Sequence, residues 1–474
     1  MKVSLALLSC LALAQAHLAF QPIQHPLRAE DDEGLLSKRE AGFFEQLIDH
    51  DAPELGTFQQ RYWWNATYWK GPGSPIVLFT PGEVAAEAYS GYLTDRALTG
   101  NIAKAIGGAV VMGEHRNWGT SLPYTLQDTK NLQQHTMTNA VLDFVNLARN
   151  LELPFDTNSS SNAPQAPWVF TGGSYSGVLA AAIAKLAPGT LWAYHSSSGP
   201  VEATYDYRDF ERIIDHVDNV LVTGTDDEVY ALKKKFGLQD VAHKDDFASA
   251  LVGPLGYWQS IQLYSGYSAF YAMCDAVEGA TGNFTAPNEK GAGLPKALDN
   301  YARWWSSEYL PGTCASYGVA EWQDPSNVAC FDSYNETSPI YTDWTADNQF
   351  GRTWYWMLCN EPFFYWQTGA PEDRPSIVSR FVTPEYYQRQ CDLFFPKQGE
   401  FTYASNSGKT VEDLNKATGG WHFTNTTRLI WNGDVNAGVK AVITAEIDQI
   451  KTWVDEFYGG KGKRKRRVAE ASDL

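Results

Sequence analysis

The sequence predicts an α/β fold, a mostly parallel sheet with helices on its faces, interrupted by one large and mainly helical insertion. Three observations predict it. Apolar runs at residues 76–80 and 109–112 lack the polar alternation of half-solvated strands, which marks strands covered on both faces. Between residues 135 and 151, Met137, Ala140, Val141, Phe144, Ala148 and Leu151 recur at helical spacing. The stretch PWVFTGGSYSGVLAAAIAKLA, residues 167–187, reads as a short strand, a glycine corner carrying a serine, and an immediate Ala-rich helix. Strands alternating with helices build a parallel sheet whose ligand site lies at the carboxyl ends of its strands.

In chain order, the first sixteen residues, MKVSLALLSCLALAQA, combine a lysine, an apolar run and small residues at Ala14 and Ala16, the pattern of a secretory signal cleaved after Ala16. Residues 17–41 are polar, hold an acidic run at 30–33 and contain Lys38-Arg39, which fits either a propeptide closed by a dibasic site or a solvated charged segment. Residues 42–205 form the first part of the α/β domain. They open with FFEQLIDHDAPELGTFQQRYWWNATYW, whose alternation of aromatic and polar residues predicts antiparallel strands at the outer edge of the sheet. Past Gly199-Pro200 helical spacing takes over, with Phe210, Ile213, Ile214, Val217 and Leu221 on one face, and Trp- and Tyr-rich segments follow. Residues 206–420 are therefore assigned to an inserted helical cap domain. The strand pattern resumes at 427–431 and leads into Asn432-Gly433-Asp434, which returns 421–458 to the first domain and leaves 459–474 as a basic, disordered tail.

The 474 residues carry a formal charge of -18, and the tail from Lys461 supplies six basic and two acidic residues, so the remainder stands at -22. Such a surface repels nucleic acid and suits an acidic medium, where carboxylates are partly protonated. After the signal no apolar run reaches membrane-spanning length, and no membrane anchor is expected. Five Asn-x-Ser/Thr sites, at Asn65, Asn158, Asn283, Asn335 and Asn425, fit glycosylation on a secretory route to the outside or to a vacuolar, lysosome-like compartment. Of six cysteines Cys10 falls in the signal, and the five others, Cys274, Cys314, Cys330, Cys359 and Cys391, allow at most two disulfides. No zinc-ligand spacing, P-loop or dinucleotide glycine fingerprint is present, so neither a metal nor another cofactor is expected.

The glycine corner has the form of a nucleophile elbow, a turn so tight that residues two positions either side of the serine must be small. Gly172 meets that demand for Ser174, and Ser176 stands where glycine is usual. Acyl transfer by a serine needs a base for the hydroxyl proton, a carboxylate to orient that base, and N–H groups aimed at the developing oxyanion. The Tyr175 N–H, next after the nucleophile, and the Pro81-Gly82-Glu83 loop after an apolar run are placed to supply the donors. A core split by an insertion of this size is the arrangement of an α/β-hydrolase fold with a large inserted, mainly helical cap domain.

These residues resemble the serine peptidases comprising prolyl carboxypeptidase, dipeptidyl peptidase II and fungal acid prolyl endopeptidases. The likeness covers roughly residues 42–439 and rests on FEQLIDHDAPELGTFQQRYWWN, LFTPGE, GEHRNWGTSLPY, NLQQHTMTNAVLDF, TGGSYSG, AYHSSSGPVEA, WMLCNEPFFYWQ and QRQCDLFFP. The resemblance implies a serine triad, cleavage after proline, proline-containing peptides or proteins as substrates, and Ser174 as nucleophile. Trp118, Trp354 and Met357, near these motifs, are candidates for an apolar slot that receives the pyrrolidine ring. His115 and His195 are expected to be structural.

The chain departs from the family pattern after Gly433. Members continue Asn-Gly-x-x-Asp-Pro-Trp and later carry the base in a Gly-x-His segment; here strict spacing puts Asn436 in the acid's place, Asp434 is two residues early, and no histidine follows His422. The sequence as written is accordingly expected to be an inefficient hydrolase whose true transcript differs beyond Gly433, and GGKGKRKRR offers no apolar face to bury. The alternative is an inactive relative that keeps a peptide-binding pocket. An esterase is allowed by Ser174 alone and disfavoured by the peptidase motifs.

Overall fold

A computed structural model of the chain describes residues 40–156, 158–197, 199, 206–207, 215–260, 269–280, 292–346, 351–361, 366–371, 373, 376–404 and 437–459. The chain divides into two compact units. The first holds the described residues of 40–203, 360–361 and 404–459; the second holds those of 204–359 and 363–403.

The first unit is built on a six-stranded sheet of order β1-β2-β4-β3-β5-β6. Strands β1 (Glu40–Leu47) and β2 (Thr57–Asn65) pair antiparallel at one edge, where the aromatic-polar alternation placed them, and β2 continues antiparallel onto β4 (Ala109–Gly113). Strands β3 (Ile76–Phe79), β4, β5 (Trp168–Gly173) and β6 (Ala193–Ser197) run parallel. Every residue of β3, β4 and β5 is buried, which is why their sequences show no polar alternation.

Helix α1 (Leu98–Ile106) leads into β4 and stops at Gly107, whose φ of 69° takes the left-handed conformation that ends helices cheaply on glycine. Helix α2 (Met137–Asn150) precedes β5; Thr136 caps it by accepting from the Asn139 N–H at 3.1 Å. Helix α3 (Tyr175–Leu186) starts one residue after Gly173 ends β5. This is the α/β-hydrolase arrangement, in which a central parallel strand turns sharply into a helix.

The inserted unit is mainly helical, with a two-residue parallel pair between β7 (Asp206–Tyr207) and β8 (Trp366–Gln367). Val217 and Leu221 are buried on helix α4 (Asp215–Thr223), while Phe210, Ile213 and Ile214 lie outside the described residues. A capping box between Thr225 and Glu228 starts α5 (Asp226–Lys235). Two disulfides staple this unit, Cys314–Cys330 and Cys359–Cys391, the second joining α6 (Arg352–Asn360) to α7 (Pro384–Phe394), and Cys274 is a free thiol. One thiol is thus left over, as the odd count requires.

Helix α8 (Ala437–Gly459) belongs to the first unit. Ile443, Ile450 and Val454 recur at helical spacing and join the core beside Ile102, Ala103 and Ala193. Phe457 meets the Trp192 ring edge-on at 5.2 Å, and the Trp192 indole donates to the Trp453 carbonyl. The strand expected at 427–431 lies outside the described residues. Among the described residues no helix is long and apolar enough to cross a membrane.

Candidate active site

Ser174 sits between β5 and α3 with φ 53° and ψ -126°, a backbone conformation a non-glycine residue adopts only when its surroundings enforce it. Its N–H donates to the Ser197 carbonyl at the end of β6 (3.0 Å), and its carbonyl accepts from Gly177 N (2.8 Å) and Val178 N (3.1 Å). Neighbours on both sides thereby hold the main chain, and the half-buried side chain stands at the start of α3 without making a capping bond. A Cβ on Gly172 would lie 2.3 Å from the Ser176 carbonyl oxygen, so β5 and α3 approach this closely only because that position has no side chain. The fully buried Ser176 faces Gly82 from the other direction, its Oγ only 2.7 Å from where a Gly82 Cβ would stand. The gap between strand and loop is therefore small enough to require a small residue and large enough to take serine in place of glycine.

The Pro81-Gly82-Glu83 loop follows β3 directly. Gly82 has φ 88°, its N–H donates to Thr80 Oγ1 (3.3 Å), and its carbonyl accepts from Val84 N (2.9 Å). Glu83 is buried, and desolvation pushes its carboxyl up to about 8, opposed only by a bond from its own backbone N–H. The side chain is a neutral acid below that pH.

On the far side of β3, the loop after β4 carries Glu114, His115, Arg116 and Trp118. Glu114 is buried and accepts from Ala86 N (2.9 Å), Thr120 N (3.0 Å) and Ser121 N (3.2 Å), which ties the segment after Glu83 to the loop after β4. Arg116 is fully buried and pairs with Asp143 of α2 through Nε (2.6 Å) and Nη2 (2.5 Å), while His50 reaches the same carboxylate at 2.9 Å. His115 places Nδ1 2.8 Å from the Arg116 carbonyl and Nε2 2.9 Å from the Tyr175 hydroxyl, and burial pushes it down to about 4. His195 on β6 bonds Thr171 Oγ1 of β5 through Nδ1 (2.8 Å). Both histidines serve the scaffold in the described contacts, and among the described residues no histidine contacts Ser174 Oγ.

Tyr175, Gly82 and Glu83 are brought to one place: a Cβ on Gly82 would stand 3.5 Å from Tyr175 Cδ1. Trp118 is half-buried and lies edge-on against His115 at 4.7 Å. Trp354 and Met357 are buried on α6 of the inserted unit. Asn158 and Asn335 are exposed; Asn65 is half-buried with its amide donating to the Leu93 carbonyl at 3.0 Å. Asp434, Asn283 and Asn425 lie outside the described residues. Sequence reasoning missed the work done by Glu114, Arg116 and Asp143; the available signal was two charges, at 114 and 116, directly behind an all-apolar strand.

The family described as serine carboxypeptidase S28 matches residues 46–437. The serine protease vicPa of Bipolaris victoriae is 41% identical over 442 residues, covering 90% of this chain and 82% of that protein. The "Probable extracellular serine carboxypeptidase" of Arthroderma benhamiae is 26% identical over 447 residues, 83% of this chain and 60% of that protein. The lysosomal Pro-X carboxypeptidase of Mus musculus is 29% identical over 196 residues, 40% of this chain and 36% of that protein. With an S28 match spanning most of the chain and an elbow serine at the carboxyl end of its sheet, this protein belongs to the serine carboxypeptidase S28 family of serine peptidases.

Proposed function

We propose that the protein is a secreted, glycosylated peptidase that cleaves peptides after proline through an acyl-enzyme on Ser174. The observation that carries the reading is the Ser174 main chain, φ 53° and ψ -126°, at the end of β5 between Gly172 and α3. In this mechanism Ser174 Oγ attacks the carbonyl carbon that follows the proline ring, and its proton passes to a base and on to the departing amine. Water then releases the acyl group. The oxyanion formed at each stage is met by the Tyr175 N–H at the α3 N-terminus; a helix N-terminus adds favourable partial positive charge. The second donor is assigned to the Gly82–Glu83 main chain, whose N–H groups in this structure bond Thr80 Oγ1 and the Glu83 carboxyl and would turn to the oxyanion. Asp434 is the acid candidate, and Trp118, Trp354 and Met357 are candidates for the proline slot. Proline preference and a route out of the cell are supported by the names of relatives, a Pro-X carboxypeptidase and a probable extracellular carboxypeptidase, and by the signal-like start of the sequence.

The test is a fluorophosphonate probe with peptide mapping, beside turnover of a chromogenic peptide containing proline. In a chain with its C-terminal segment restored, Ser174→Ala is expected to abolish both while the protein stays folded, because the hydroxyl makes no bond that holds the core together. Labelling that persists in the alanine variant overturns the nucleophile assignment. A wild-type chain that binds proline peptides and resists labelling would instead support the peptide-binding alternative.

A further inference from the structure

We infer that His115 is a positioning residue of this peptidase: through the Tyr175 hydroxyl it holds the first residue of α3 against the 81–83 loop, so that the two main-chain donors converge on one oxygen. The inference rests on the oxyanion assignment made above.

The direction of the bond follows from the acceptor on the other ring nitrogen. Nδ1 faces the Arg116 carbonyl at 2.8 Å, and a carbonyl can only accept, so the ring proton sits on Nδ1. Nε2 is then an acceptor, and the Tyr175 hydroxyl 2.9 Å away must donate to it. A protonated His115 would present two N–H groups and could no longer receive that hydroxyl. Burial, which pushes His115 down to about 4, keeps the acceptor in place through mildly acidic pH.

The bond also spans the right distance. His115 follows β4 and Tyr175 follows β5, and these strands flank β3, whose end carries the 81–83 loop. Tyr175 is 1% exposed, and a Cβ built on Gly82 would stand 3.5 Å from Cδ1 of its ring, so the ring edge lies beside the 81–83 loop. The ring is thus a spacer between the loop and His115, and it belongs to the residue whose N–H is the first donor. Releasing its far end lets α3 and the loop shift independently. Shifts of about 1 Å at a catalytic site cost on the order of a hundredfold in rate. His115 itself is braced: Trp118 lies edge-on at 4.7 Å and His135 at 5.8 Å.

The experiment uses the full chain and two readouts on Tyr175→Phe, which removes one oxygen and retains the ring. The first is the rate of fluorophosphonate labelling at Ser174, with affinity for a proline peptide measured in parallel. Labelling is expected to fall by about tenfold or more, a fraction of what losing a whole oxyanion donor costs, with affinity unchanged. The second is hydrogen exchange followed by mass spectrometry, where peptides covering 81–86 should exchange faster and those from β3 and β5 should not. His115→Gln, whose amide oxygen can accept the same proton, should retain more labelling than His115→Leu. Labelling within twofold of wild type, or a loop whose exchange is unchanged, overturns the inference. If the wild-type chain is not labelled at Ser174 the peptidase reading of this chain falls, and the exchange readout by itself decides whether His115 holds the loop.

Discussion

At Ser174 the main chain adopts a conformation that costs about 1–3 kcal/mol in a non-glycine residue, offset by the bonds to Ser197, Gly177 and Val178. That cost was legible in the sequence, because the geometry admits only small neighbours and Gly172 and Ser176 declare it locally. The contact also sets a prediction. Gly172→Ala forces a methyl group to within 2.3 Å of the Ser176 carbonyl, so it should destabilise the first unit by roughly 1–3 kcal/mol and slow labelling of Ser174 as the elbow shifts. Urea unfolding and probe labelling check the two effects, and a variant as stable and reactive as wild type would mean that β5 and α3 can separate freely. What the residue types could not declare was the charge state of Glu83, since a carboxyl becomes a neutral acid only once its neighbours strip it of water.

Among the elements, α2 shows how a helix is placed by more than its apolar face. Its period of buried residues read correctly from the sequence, yet Asp143 is 1% exposed and tied to Arg116, which also donates to the Ile48 and Gln134 carbonyls. Together these bonds join the turn after β1, the loop after β4 and the helix. Asp143→Asn removes the negative partner and leaves a guanidinium buried, a change that typically costs about 3–5 kcal/mol. The expected result is a large fall in the thermal midpoint with little change in the inserted unit's disulfides. A midpoint within two degrees of wild type would show that solvent reaches Arg116. Disulfide pairing was equally hidden, because five cysteines permit several pairings and only proximity in the folded inserted unit selects Cys314 with Cys330 and Cys359 with Cys391.

Across the whole molecule, buried acids and buried histidines pull stability in opposite directions with pH. Glu83 and Glu361 are raised by desolvation to about 8 and about 7, so the native state holds protons that the unfolded chain has released above about 4.5. The stability they contribute is complete below the unfolded value and is lost as pH rises through 7 and 8. Asp246 in the inserted unit, raised by burial to about 6, acts in the same sense. His115 and His195 are lowered to about 4, so what they contribute is present above about 6.5 and is lost as pH falls. From pH 8 down to 6.5 only the acids titrate and stability should rise, by roughly 1.4 kcal/mol per pH unit for each proton of difference; below 6.5 the histidines oppose them and the curve flattens. The net charge of -18 acts in the same direction, since acid relieves self-repulsion. Thermal midpoints measured from pH 4 to 8 check this, and Glu83→Gln should weaken the alkaline decline. A midpoint that climbs steadily to pH 8 would refute the role given to the buried acids.

Local steric and hydrophobic rules act between residues close in sequence, and these determined the parallel strands, α2, the elbow at Ser174 and the helix behind it. The family pattern in the same motifs extended that reading to a peptidase. Interactions between residues distant in sequence were decided by the tertiary structure alone: the proton on His115, the neutrality of Glu83, the partner of Arg116 and the pairing of the cysteines. The reason is physical. A side chain's protonation and hydrogen-bond direction depend on the dielectric and the acceptors around it, and in this fold those are supplied by segments such as β4 and α3, 60 residues apart between His115 and Tyr175, which meet only after the sheet has formed.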